Sequence, residues 1–180
     1  MTSVAIDVAV RKAGMRDIHR MLRLINSYAA DGVMLPRTEF DMSENIRDFS
    51  VAYSGDRLVG CGALHFYTPT TAEVRSLAVD PEFKTHGIGR VIVEALEREA
   101  VENQLHAIFA FTYVPQFFRK LGFHEIERGE LPLKAWKDCL RCPKFQACDE
   151  IAMLKRLRPD AVIGTGPSIT SDLIQLPRPA

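Results

Sequence analysis

VRSLAVDPEFKTHGIG, Val74 to Gly89, carries three structural signals in succession. Its apolar opening suits a strand, and Asp80-Pro81 stops that strand because proline removes a backbone donor. Gly87-Ile88-Gly89 then lead into Ile92, Val93, Leu96 and Ala100, which recur at helical spacing. A strand, a glycine-bearing loop and a helix therefore follow one another. The first turn of such a helix has unpaired N–H groups that attract anions, and glycines let the backbone approach a ligand closely. No Walker lysine-serine pair is present, so the loop reads either as a diphosphate cradle or as a tight strand-to-helix turn.

Working outward, the strand is expected over Glu73 to Val79, following Pro69. Before it, Phe49, Val51 and Tyr53 alternate toward the turn Ser54-Gly55-Asp56-Arg57, and a second arm runs from Leu58 to about Tyr67, which predicts a hairpin. Further upstream, Val8 and Val10 suit a half-buried strand, and Ile18, Met21, Leu22, Ile25 and Tyr28 a helix. Gly32 to Pro36 breaks the pattern, and a short helical piece covers Glu39 to Ile46. Downstream come a buried strand over Leu105 to Phe111, a short helix over Pro115 to Leu121 with proline in its first turn, and a strand over Phe123 to Ile126. The tail from Arg158 to Ala180 holds four prolines and little periodicity, so it is expected to be a mobile extension of a single domain spanning residues 1–157.

A chain of 180 residues is long enough to bury one hydrophobic core. Its 23 basic and 23 acidic residues leave no net field for nucleic acid or an anionic membrane, so recognition has to come from a local site. No apolar run approaches the roughly 20 residues that span a bilayer, and MTSVAIDVAVRK lacks a signal-peptide pattern. The reading is a cytoplasmic protein. Its four cysteines, at 61, 139, 142 and 148, then read as thiols or metal ligands rather than disulfide partners.

The stretch Val74 to Gly89 resembles the central motif of the GNAT family of N-acetyltransferases, and FFRKLGF, Phe117 to Phe123, resembles the family's second signature. With the opening strand and helix, the resemblance covers about Val8 to Leu157. It implies an α/β (α+β) fold with a mixed central sheet, splayed in the middle and flanked by helices. Acetyl-CoA is the implied co-substrate. Its pantetheine arm would pair with the backbone of Leu77, Ala78 and Val79, and its pyrophosphate would lie on the loop that starts at Lys84 and continues through Thr85, His86, Gly87, Ile88, Gly89 and Arg90. Lys84 stands where members usually carry Arg or Gln, keeping the charge but not the guanidinium fork. Phe118 stands where many carry a Tyr that is proposed to protonate the leaving thiolate, so here that acid has to be another group or water.

Direct transfer needs a base to remove a proton from an ammonium and an amide to steady the oxyanion. Glu73, near the start of the central strand, is the candidate base, acting directly or through water; its ordinary alternative is a solvated strand-end carboxylate. The blocks LINSYAADGVMLPRT (Leu24 to Thr38), IRDF (Ile46 to Phe49), GCGALHFY (Gly60 to Tyr67), AEVRSLAV (Ala72 to Val79) and ELP (Glu130 to Pro132) narrow the resemblance to the acetyltransferase domain of bacterial N-acetylglutamate synthases, of the short stand-alone type. This implies acetylation of the α-amine of L-glutamate, the first step of arginine biosynthesis. A substrate with two carboxylates calls for arginines, and Arg37 and Arg75 are the candidates, each otherwise a surface cation. In longer synthases an Arg occurs near the position of Tyr113, so glutamine or another amino acid stays open as acceptor, as do a polyamine or protein amine and a catalytically silent acyl-CoA-binding module. Neither nucleic acid nor membrane is an expected partner, and a homodimer is compatible with this reading.

Cys139-x-x-Cys142-Pro with Cys148 nearby has the spacing of a metal knuckle but supplies three of the four ligands of a closed zinc site. His124 or Asp149 would have to complete it, so a reduced thiol cluster is the expected state. Cys61 falls on a core strand and reads as a small hydrophobe.

Overall fold

The computed structural model describes residues 7–131 and 148–159, so Cys139, Cys142 and the tail beyond residue 159 lie outside the described residues. In chain order the elements are β1 (Ala9–Lys12), α1 (Ile18–Ala30), α2 (Glu39–Glu44), β2 (Phe49–Ser54), β3 (Arg57–Phe66), β4 (Thr71–Val79), α3 (Ile88–Glu102), β5 (Ala107–Thr112), α4 (Pro115–Arg119), β6 (His124–Glu125) and β7 (Ile151–Arg156). The strands form one mixed sheet in the order β1-β2-β3-β4-β5-β7-β6. Every neighbouring pair is antiparallel except β4 and β5. Parallel neighbours need a crossover, which α3 supplies. Among the described residues no helix is long and apolar enough to cross a membrane.

Two apolar layers cover the sheet. On one face α3 buries Ile88, Ile92, Val93, Leu96 and Ala100 in the same cluster as Ala52, Val59, Leu64, Val74 and Ile108. On the other, Ile18, Met21 and Ile25 of α1 and Met42 of α2 pack in a cluster with Phe49, Val51, Cys61 and Ala63. Burying a side chain such as Ile92 or Leu96, both at 0% exposure, contributes about 1.5–3 kcal/mol, so packing outweighs the few tenths that separate ordinary helix propensities. The close seating of α3 depends on Gly60 in β3. A Cβ there would lie 2.7 Å from Ile92 Cδ1 and 3.1 Å from the Ala78 carbonyl.

The entry to α1 is tied down by Asp17, which is 1% exposed. Arg11 donates to both of its oxygens at 2.8 and 2.9 Å, the Gly14 amide donates at 2.8 Å and the Tyr53 hydroxyl at 2.8 Å. The Arg11 hydrogen bonds, ahead of the other donors, hold the Asp17 carboxyl well below the usual carboxylate range. A depressed native pKa stabilises the fold above the unfolded-state value near pH 4, and that stability is lost as pH falls below it. Asp17→Asn should therefore destabilise the protein at neutral pH by about 1.5–3 kcal/mol, toward the lower end because Arg11 is half exposed. Thermal melts should show the gap between parent and variant closing as pH drops below about 4. A gap that stays constant with pH would contradict the assignment.

Candidate functional site

The sheet opens where two adjacent strands part company. β4 pairs with β5 only from Thr71 to Glu73, opposite Ala107 to Phe109, while β5 pairs with β7 as far as Thr112. From Val74 to Val79 the β5-facing edge of β4 therefore has no strand partner, although β3 holds its other edge. The divergence coincides with a bulge: Cys61 pairs with Ala78 and Ala63 with Arg75, and Ser76 takes a left-handed φ of 51°. An open strand edge presents alternating N–H and C=O groups to any extended ligand, which is how an added strand docks. Leu77, Ala78 and Val79 line that edge. The Tyr28 hydroxyl of α1 donates to the Val79 carbonyl at 2.6 Å, and Lys84 Nζ sits 5.0 Å from the centre of the Tyr28 ring.

At the end of β4, Asp80 accepts from the Glu82 amide at 3.1 Å and caps a tight turn over Pro81–Phe83. Lys84, Thr85, His86 and Gly87 follow, all exposed, with left-handed φ of 75° at Thr85 and 78° at Gly87. The first bond into α3 runs from the Val91 amide to the Gly87 carbonyl at 3.1 Å. The amides of Ile88, Gly89 and Arg90 precede it, as in any helix whose first turn can receive an anion. The Arg90 side chain is engaged with Glu94 at 3.0 Å, which leaves its main chain as the group relevant to a diphosphate. A Cβ at Gly87 would meet nothing within 4 Å, so the space above the loop is open to a ligand. Phe117 of α4 packs against Gly89, 3.3 Å from where a Cβ would stand. Phe118 is 4% exposed and packs edge-on against Phe123, so that ring belongs to the core.

Any L-side chain at Gly87 is strained by about 1–2 kcal/mol at its positive φ and projects into the open approach. Gly87→Val should weaken acetyl-CoA binding by about tenfold or more in calorimetric titration while leaving the protein folded. An unchanged dissociation constant would remove the expected diphosphate-binding role from this loop.

Glu73 is the last residue of β4 paired with β5 and is 9% exposed. Its Oε2 accepts from the Tyr67 hydroxyl at 2.9 Å. Arg75, two residues on and so on the same face, has a side chain 10% exposed with Nη2 3.9 Å from Asp48 Oδ2. Asp48 thus answers part of the Arg75 charge within the protein, and the same oxygen lies 2.6 Å from His65 Nδ1. Arg37, in the loop before α2, is held through its main chain by Asn26, whose side-chain amide makes two bonds of 2.9 Å to it. Its Nη2 lies 3.5 Å from Ser76 Oγ, at the bulge. Arg37, Arg75 and Glu73 are thus gathered around one segment of β4, and half-buried Tyr113 follows the end of β5, the other arm of the fork.

Tyr67, His65 and Asp48 did not stand out in the sequence as site residues. Their signal is the polar alternation His65, Tyr67 at the end of an apolar strand, which only the register turns into a cluster: His65 lies directly opposite Glu73. Cys61 is fully buried, and burial pushes its thiol up to about 12, so it behaves as a small hydrophobe. Half-buried Cys148 has its Sγ 3.7 Å from Glu150 Oε2. Among the described residues no group of three His, Cys, Asp or Glu side chains could hold a metal ion. A surface recess of about 470 Å³ beside α1 includes Arg20, Arg23 and Arg57, but it is lined by none of the fork residues and Arg57 is tied to Asp80 and Glu82.

Residues 16–123 match the model of the acetyltransferase (GNAT) family. An uncharacterized N-acetyltransferase of Chlorobaculum tepidum is 44% identical over 85% of this chain and 99% of its own length. An amino-acid acetyltransferase of Mycobacterium tuberculosis is 37% identical over 73% of this chain and 77% of its own. Among solved structures, Rv2747 from Mycobacterium tuberculosis in complex with CoA and NLQ superposes with a TM-score of 0.72 at 30% identity, covering 83% of this chain and 99% of that one. N-acetylglutamate synthase from Neisseria gonorrhoeae complexed with coenzyme A and N-acetyl-glutamate gives 0.78 at 25% identity, covering 84% of this chain but only 35% of the synthase.

Proposed function

This chain belongs to the acetyltransferase (GNAT) family and is an N-acetyltransferase that uses acetyl-CoA, and on that premise we propose that its acceptor is the α-amine of L-glutamate. The observation that carries the proposal is the meeting of a carboxylate and a guanidinium at the fork: Glu73 where β4 leaves β5, and Arg37 against Ser76 three residues on. A base and an anion-binding group so close together suit an amino acid, whose amine must lose a proton while its carboxylate is paired. A polyamine would want carboxylates in both places. The names of the Mycobacterium and Neisseria relatives support the same substrate class.

In this reading the pyrophosphate rests on the amides of Thr85 to Arg90, and the pantetheine arm runs along the open edge of Leu77, Ala78 and Val79. The thioester then points toward the apex of the fork. Glu73 takes a proton from the ammonium, directly or through water, and the freed nitrogen attacks the thioester carbonyl carbon. A backbone amide steadies the resulting oxyanion. Collapse breaks the carbon–sulfur bond, and the thiolate is protonated by water or another group, since Phe118 carries no acidic proton. Arg37 pairs with a substrate carboxylate, and Arg75, partly engaged by Asp48, contributes field rather than a second fork.

Glutamine is the second reading, and Tyr113 is the reason for it. A neutral phenol follows β5 where a further guanidinium would favour a γ-carboxylate. Titrating the CoA-loaded protein with N-acetyl-L-glutamate, N-acetyl-L-glutamine and N-acetylputrescine separates these readings. Tightest binding of the first is expected; tightest binding of the second shifts the acceptor to glutamine, and binding of the third alone would refute both.

A further inference from the structure

We propose that Tyr67 is a positioning residue for Glu73, and that the Asp48–His65 pair serves it by fixing the Tyr67 ring. The inference rests on the reading of Glu73 as the base. Tyr67 lies just past the end of β3, where a chain turning toward β4 would normally be free to move. Instead, its amide donates to the Thr71 carbonyl at 3.1 Å, which closes the connection. Its ring is trapped between two others: His65 meets it edge-on at 4.9 Å, and Phe109 of β5 stacks on it at 5.6 Å. His65 is itself fixed by the 2.6 Å contact of its Nδ1 with Asp48 Oδ2.

Such a chain of contacts is more than a core needs. Phe109 and its neighbours would be covered equally well by a phenylalanine, so packing does not explain the hydroxyl. The hydroxyl donates to Glu73 Oε2 at 2.9 Å, where β4 leaves β5. A glutamate has three rotatable bonds, and a base has to be held within hydrogen-bond reach of its proton to be effective. A donor carried by an immobilised ring fixes the carboxylate and favours its ionised form, the form that accepts the amine proton.

Other titratable and charged groups lie around the same segment of β4. His65 lies directly opposite on β3, Arg75 is two residues along β4 with Asp48 beyond it, and Arg37 approaches over Ser76. From β5 come the apolar rings of Phe109 and Phe111, with Arg128 5.9 Å from the centre of the latter. These remain in place when only the Tyr67 hydroxyl is removed, so Tyr67→Phe takes away the hydrogen bond to Glu73 and leaves the surrounding charges as they are.

The experiment is a double-mutant cycle with pH profiles. Tyr67→Phe should lower kcat about tenfold near neutrality, leave the acetyl-CoA dissociation constant unchanged and move the acid limb of kcat/KM to higher pH, because removing a donor to the ionised carboxylate raises its pKa. In the Glu73→Gln background the same substitution should change the rate by less than about twofold. A Tyr67→Phe loss of equal size in both backgrounds, or one with no movement of the acid limb, would mean that the hydroxyl does not act through Glu73. If Glu73→Gln loses turnover and Tyr67→Phe changes nothing, this inference alone falls. If Glu73→Gln keeps full turnover, the base assignment falls first and takes the inference with it.

Discussion

Replacing Glu73 by glutamine is expected to lower turnover by about 10²- to 10⁴-fold, the range over which general bases act. The substitution keeps the size of the side chain and its capacity to accept from Tyr67, so the fold and the fork should persist. What disappears is the site that takes the proton. At neutral pH the α-amine of an amino acid is almost entirely an ammonium, which has no lone pair for attack, so the rate should fall to that of the small neutral fraction. Raising the pH enlarges that fraction and should recover part of the loss, whereas a structural defect would persist at every pH. A rate near that of the parent at neutrality would remove Glu73 from the role.

Truncating Arg37 to alanine should raise the Michaelis constant for glutamate by about 10- to 100-fold, the equivalent of losing one charge-assisted hydrogen bond to a carboxylate in a partly dry cleft. The loop should keep its shape, because Asn26 grips the Arg37 main chain rather than its side chain. Acetyl-CoA affinity should stay near normal, since Arg37 Nη2 lies against Ser76 at the bulge in β4. Arg37→Lys should recover only part of the loss, as an ammonium restores charge without the planar fork. Steady-state kinetics with both substrates varied distinguishes these effects; a rise confined to the acetyl-CoA constant would place Arg37 on the wrong side of the fork.

The residues legible in the sequence are those whose signal is local. The strand ending at Asp80-Pro81, the loop with Gly87 and the helix after it form a continuous pattern, and the hairpin around Gly55 and the helix from Ile18 were equally direct. β7 has no such local signal. IAMLKR is a short run with no alternation, and its place between β5 and β6 reverses the sequence order of the last two strands, a tertiary choice that no local pattern encodes. The bulge at Ser76 was also invisible, because a serine with left-handed φ carries none of the signal a glycine would.

The site divides in the same way. Glu73, Arg37 and the loop amides each carry a signal of their own in residue type and motif. Their grouping depends on where β4 leaves β5, and the Asp48–His65–Tyr67–Glu73 cluster depends on a register that sets His65 opposite Glu73 across the hairpin. A one-residue slip would send His65 and Tyr67 to the α3 face.

The central claim is the identity of the acceptor, and thiol release from acetyl-CoA tests it most directly. Assayed across the twenty amino acids, a polyamine and a short peptide, the protein should release CoA fastest with L-glutamate, and the product should carry its acetyl group on the α-nitrogen. Release with the peptide or the polyamine while no amino acid is turned over would contradict that claim and leave the acetyltransferase activity standing.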